Sequence, residues 1–65
     1  MVRLASVAVP VPQIDLLTYR IPEGVETPAS GARVLVPVGT RTLTGCVIAT
    51  EEVSGEDPRA ASDTL

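Results

Sequence analysis

The chain has 65 residues, a formal net charge of −3, no histidine and one cysteine. A chain of this length makes one small domain and leaves no room for a separate cofactor-binding domain. With Cys46 alone and no histidine, the composition excludes Ser-His and Cys-His catalytic pairs, an internal disulfide and a zinc cluster. No apolar run reaches the roughly 18 residues of a membrane helix, and no secretory signal pattern opens the chain, so a cytoplasmic protein without a membrane span is expected.

The charge is distributed unevenly along the chain. Residues 1–50 carry four arginines and three acidic residues, a net of +1, whereas residues 51–65 carry one arginine and five acidic residues, a net of −4. Non-specific affinity for nucleic acid depends on the number of phosphates that the protein neutralises. Any contact with nucleic acid is therefore expected to be local.

The first half of the chain predicts two strands. Residues 4–9 are short, apolar and rich in valine, and the prolines Pro10 and Pro12 are expected to end this strand in an extended arm. Residues 16–21 alternate with a period of two. That alternation places on one face the side chains of Leu17, Tyr19 and Ile21.

The second half predicts two more strands joined by a hairpin. Residues 33–38 place three valines on one face, and Gly39 supplies the turn residue that follows. Residues 43–53 resume a β-rich run, in which Gly45 marks either a bulge or a close approach of the backbone. Six prolines and five glycines leave no window of helical periodicity.

These elements predict an all-β fold, a small antiparallel β-barrel-like domain that we expect to be incomplete at its C-terminal end. Residues 1–53 form the β-rich module. Residues 54–65 change to a polar, acidic composition and are interpreted as a loop or linker.

Few residues offer chemistry. Two acidic pairs could act as acid and base, Glu51 with Glu52 and Glu56 with Asp57, but their place at a strand end and in the polar tail favours a solvated surface. Cys46 lies in an apolar strand, where an inert thiol is expected. No glycine-rich phosphate loop is present. The chain alone is therefore expected to have no enzymatic activity, no metal and no cofactor.

Two surfaces remain candidates for binding. Tyr19 is either a core residue with its phenol at the rim or a platform for stacking a base. The hairpin tip of residues 37–41, Pro-Val-Gly-Thr-Arg, is either a plain β-turn or a contact for a phosphate or a terminal sugar.

Four blocks of the sequence occur in an order and spacing that resemble the amino-terminal end of the PriA family of replication-restart helicases, also called primosomal protein N′. The resemblance covers about residues 4–50. The blocks are VAVPVP at 7–12, YRIPEG at 19–24, GARVLVPVGTR at 31–41 and GCVI at 45–48.

The resemblance implies a β-rich 3′ DNA-binding domain that captures the 3′ end of the nascent strand at a stalled fork during replication restart. The implied partners are such a DNA end, the remaining helicase domains and the primosome proteins. ATP, Mg and Zn are expected only in downstream domains that this chain does not contain.

The resemblance also implies site residues. The family's aromatic-Asp-Tyr triplet matches Leu17, Thr18 and Tyr19, and the glycine of its Pro-Phe-Gly-Lys turn matches Gly39. Only the tyrosine of the triplet is kept, and Thr18 offers a hydroxyl in place of a carboxylate. Thr40 stands at the lysine position, and Arg41 beside it could supply the charge. The competing hypothesis is a small β-barrel module for protein interaction or structure, without DNA binding.

Overall fold

A computed structural model describes residues 1–65, which form four β-strands and one short 3-10 helix. The strands are β1 (Val2–Val11), β2 (Ile14–Arg20), β3 (Arg33–Val38) and β4 (Arg41–Val53), and the 3-10 helix is Pro58–Ala61. No helix in the structure has the length and apolar character that crossing a membrane requires.

All four strands belong to one antiparallel sheet in the order β2-β1-β4-β3, which confirms the predicted all-β class. The two outer strands, β2 and β3, share no backbone pairing, so the sheet is open. It nevertheless curls enough for its outer strands to touch, because the Tyr19 hydroxyl on β2 donates a hydrogen bond to the Pro37 carbonyl on β3 at 2.7 Å. We call this line of contact between β2 and β3 the seam.

Two irregularities help the sheet to curl. Ser6 pairs with Ala49 and Val7 pairs with Val47, which leaves Ile48 as an extra residue on β4. A second shift interrupts the pairing of β1 with β2 between Ala8 and Val11. Such bulges bend a strand and increase its twist.

The prediction that the first strand ends at Val9 was wrong, because β1 continues through Pro10 to Val11. Pro10 has no N–H to donate, but it lies at the shift in the pairing with β2, and β4 pairs with β1 only as far as Ala8. Proline is tolerated where the neighbouring strand requires no donor. The same reason allows Pro37 in β3, which lies at the edge of the sheet.

The second hairpin follows the prediction closely. β3 has the predicted bounds, and Gly39 adopts a φ of 60° in the two-residue turn before β4. Gly45 is buried in β4, where a Cβ atom would overlap Cγ1 of Val7 and stand 3.0 Å from the carbonyl oxygen of Ala8. The close backbone approach expected at Gly45 is thus confirmed, whereas the bulge on β4 falls at Ile48.

The core lies on the concave face of the curled sheet. It is made of side chains from β1, from β2 and the residue after it, and from β3 and β4. Its buried members are Ala5, Val7, Val9, Tyr19, Ile21, Val36 and Val47.

Residues 54–65, interpreted from the sequence as a loop or linker, fold back on the sheet. Asp57 caps the 3-10 helix by accepting a hydrogen bond from the Arg59 N–H at 2.8 Å, and the Arg59 guanidinium forms ion pairs with Asp57 and with Glu51 on β4. The chain then reaches the free edge of β2, where Thr64 forms a parallel bridge with Arg20. Leu65 packs against the core.

Candidate DNA-end pocket

A shallow pocket of about 340 Å³ opens at the seam. It is bounded by β2, by the end of β3 with its turn, and by the tail. Its lining consists of Ile14, Leu17, Thr18, Tyr19, Pro37, Val38, Gly39, Ser62 and Asp63. Four of the five residues predicted for the site therefore lie around one cavity, although β2 and β3 are at opposite ends of the strand order.

Tyr19 is a core residue at this pocket. Its side chain is only 3% exposed, and its hydroxyl is held by the Pro37 carbonyl. The interpretation of Tyr19 as a core residue with its phenol at the rim is thus confirmed. A ring buried to this extent offers little of its face to a base, so we expect it to shape the pocket and to fix the seam.

The accessible part of the lining comes from the other predicted residues. Leu17 is half-buried, whereas Thr18 and Gly39 are exposed. No atom of the protein lies within 4 Å of the position that a Cβ would occupy at Gly39, so the backbone at this turn is open to a ligand.

Arg41 is not part of this lining. It is the first residue of β4, it pairs with Val38, and its side chain is exposed. The structure thus places it next to a pocket residue but does not bring it into the cavity. Contact between Arg41 and DNA stays a prediction.

The sequence did not indicate the contribution of the tail. Ser62 and Asp63 line the pocket, although both lie in the segment interpreted as a linker. The signal available was Leu65, the only large apolar residue after Val53, which requires a surface to cover it. Ile14 also lines the pocket and was not among the predicted residues, whereas Pro37 and Val38 belong to the hairpin tip that the sequence indicated as a candidate surface.

The acidic residues considered from the sequence lie near Arg59 or at the exposed surface. Glu51 and Asp57 are bound to Arg59, and the hydrogen bonds that Arg59 donates to Asp57 lower the pKa of that carboxyl. Glu52 and Glu56 are exposed. No group of three or more acidic or cysteine side chains lies together in a way that could hold a metal ion.

Burial raises the pKa of Tyr19 above its ordinary value of about 10, and the negative charge of Asp63 raises it further. The folded chain therefore keeps the phenol proton at a pH where the unfolded chain releases it. The associated stability is complete below about pH 10 and is lost as the pH rises through the folded-state pKa.

We expect the free energy of unfolding to fall as the pH rises above about 10, and Tyr19→Phe to remove this part of the dependence because it has no titrating hydroxyl. Urea unfolding followed by circular dichroism at a series of pH values checks this. The same alkaline slope in wild type and Tyr19→Phe would contradict it.

The fold and the pocket define a small open β-domain with one cavity at its seam. A family model described as the 3′DNA-binding domain (3′BD) of PriA matches residues 6–64. The chain belongs to this family and is a DNA-binding module of the PriA type, a non-catalytic part of that protein. Neither the curated proteins nor the solved structures include a significant match.

Proposed function

We propose that this module recognises the 3′ end of the nascent strand at a stalled fork and serves a PriA-type helicase during replication restart. The observation that carries the proposal is the pocket at the seam, which gathers Leu17, Thr18, Tyr19 and Gly39 from two separate hairpins. These are the residues that match the family's end-binding positions.

The shape and charge of the domain favour binding of a DNA end over binding along a single-stranded stretch of DNA. The cavity of about 340 Å³ is in the size range of sites for single small ligands. A protein that binds a single-stranded tract normally combines a basic groove with several exposed aromatic rings. This chain has one aromatic residue, which is buried, and no Lys or Arg lines the pocket.

The wider setting is part of the proposal. The module would act in the cytoplasm together with motor domains that hydrolyse ATP and with the other primosome proteins. It would contribute no catalysis of its own. Arg41, exposed beside the pocket, would meet the phosphate backbone that leads to the bound end.

Gly39→Asn tests the site with little risk to the fold. Asparagine tolerates the left-handed backbone conformation found at Gly39, and free space surrounds the position, so we expect a folded protein with an added side chain at the pocket. Affinity for a duplex with a recessed 3′ end should fall about tenfold or more, which corresponds to roughly 1.4 kcal/mol. Fluorescence anisotropy at low salt measures it.

Gly24→Asn is the matched control, because Gly24 has a φ of 80°, has no atom near its Cβ position and lies outside this pocket. It should bind the DNA end as wild type does. If a folded Gly39→Asn protein binds the recessed 3′ end with the affinity of the wild type, the turn at Gly39 is not part of the binding site. A folded wild-type chain that binds no DNA at low salt would favour the interaction-module hypothesis.

A further inference from the structure

The pocket at the seam contains one charged residue, Asp63 from the tail. Its other polar side chains are the hydroxyls of Thr18, Tyr19 and Ser62, and the Tyr19 hydroxyl is already bound to Pro37. The position that holds a carboxylate in the family's triplet is occupied here by Thr18. A carboxylate is nevertheless present in the same pocket, on a different segment of the chain.

Backbone hydrogen bonds hold Asp63 in place. Its carbonyl oxygen accepts from the Arg20 N–H at 2.8 Å, and the Leu65 N–H donates to the Arg20 carbonyl at 3.0 Å. Leu65 is anchored in turn by its packing against the core. Asp63 is thus fixed beside Arg20, which is the last residue of β2 and follows Tyr19 directly in the sequence.

The Asp63 side chain is free to accept a ligand. Asp63 is exposed, and neither of the two salt bridges nor any side-chain hydrogen bond of the protein uses its carboxylate. Its charge also acts on the pocket, since it contributes to the raised pKa of the Tyr19 phenol.

We propose that Asp63 supplies the carboxylate that accepts a hydrogen bond from the terminal 3′-hydroxyl of DNA in this pocket. The inference rests on the proposed function and identifies the group that would select among ends. A carboxylate binds a hydroxyl donor through a charge-assisted hydrogen bond, and it repels a terminal phosphate, which carries about −1.5 to −2 charges at pH 7. An acidic residue in a DNA-binding pocket is otherwise unfavourable.

The test compares two oligonucleotide duplexes with recessed ends that differ only in a 3′-hydroxyl or a 3′-phosphate. The full 65-residue chain should bind the hydroxyl end about tenfold more tightly or better in fluorescence anisotropy at low salt. Asp63→Asn keeps the shape of the side chain and the backbone hydrogen bonds with Arg20, so the variant should fold. It should bind the two ends within about twofold of each other.

Glu56→Gln is the matched control, because it removes the same charge from an exposed position of the tail outside the pocket. It should keep the wild-type preference for the hydroxyl end. Adding Thr18→Asp to the Asp63→Asn protein returns a carboxylate to the pocket from β2, and we expect it to restore that preference.

The outcomes separate the two proposals. A folded Asp63→Asn protein with the wild-type preference overturns the role of Asp63 and leaves recognition of the end intact. Equal binding of both ends by the wild-type chain overturns the role of Asp63 and leaves binding of the DNA end intact. A wild-type chain that binds neither end overturns recognition of the 3′ end, and the role of Asp63 with it. Loss of the preference in both Asp63→Asn and Glu56→Gln shows a general effect of charge and also overturns the role of Asp63.

Discussion

Gly45→Val should remove a large share of the free energy of unfolding of the protein. Its side chain would overlap the Cγ1 atom of Val7, which is fully buried, and would press on the carbonyl of Ala8, so β1 and β4 could not keep their spacing. Overpacking of a core typically costs about 1–3 kcal/mol and sometimes more, and we expect the upper end here. The whole free energy of unfolding of a domain of this size is about 3–10 kcal/mol.

Urea unfolding followed by circular dichroism measures how far Gly45→Val lowers the free energy of unfolding. Gly55→Val is the control, since no atom lies within 4 Å of the Cβ position of Gly55 and its φ is not positive. Val7→Ala should partly relieve Gly45→Ala in a double-mutant cycle, because it removes the Cγ1 atom. A Gly45→Val protein with the wild-type midpoint would contradict the close packing of β1 on β4.

Tyr19→Ala should lose about 3–5 kcal/mol of the free energy of unfolding, the usual cost of deleting a buried aromatic ring. The ring belongs to the core cluster, and its hydroxyl makes the hydrogen bond that joins β2 to β3 across the seam. Tyr19→Phe keeps the ring and loses only that bond, for about 1 kcal/mol. Thermal unfolding followed by circular dichroism compares the two.

Leu16→Ala is the control on the same strand, because Leu16 is 52% exposed and its truncation should change stability by less than about 0.5 kcal/mol. Equal unfolding temperatures for Tyr19→Ala and wild type would show that the Tyr19 ring does not contribute to the core. The expected result also decides how DNA binding is tested, since weaker binding by an unfolded Tyr19→Ala protein says nothing about the pocket. Tyr19→Phe is the variant to use there.

Local sequence patterns predicted the four strands because the residues of a strand themselves carry the signal, a run or an alternation of apolar side chains. The valines of residues 33–38 alternate along a half-buried strand, and the bounds of β3 match the prediction. Pro10 misled the prediction of β1, because the cost of a proline depends on whether a neighbouring strand needs its N–H, and that neighbour lies elsewhere in the chain. Pairing partners cannot be read from the strand itself.

The site was predictable only in part for the same reason. Resemblance to a family led to Leu17, Thr18, Tyr19 and Gly39, and the curl of the sheet brings them together. Asp63 was missed because its polar surroundings in the sequence indicate a linker. Its position depends on hydrogen bonds to Arg20, more than forty residues away in the chain.

The seam makes the pocket a property of the whole fold. Its lining comes from both ends of the strand order, so a chain in which either hairpin is unfolded has no pocket. A molecule bound there acts as a non-covalent cross-link between the first and second hairpins. By mass action, a ligand at a hundred times its dissociation constant adds about 2.7 kcal/mol to the free energy of unfolding, a large share of what a domain of this size possesses. Occupancy of the pocket should therefore be readable as a rise in melting temperature, without any label on the DNA.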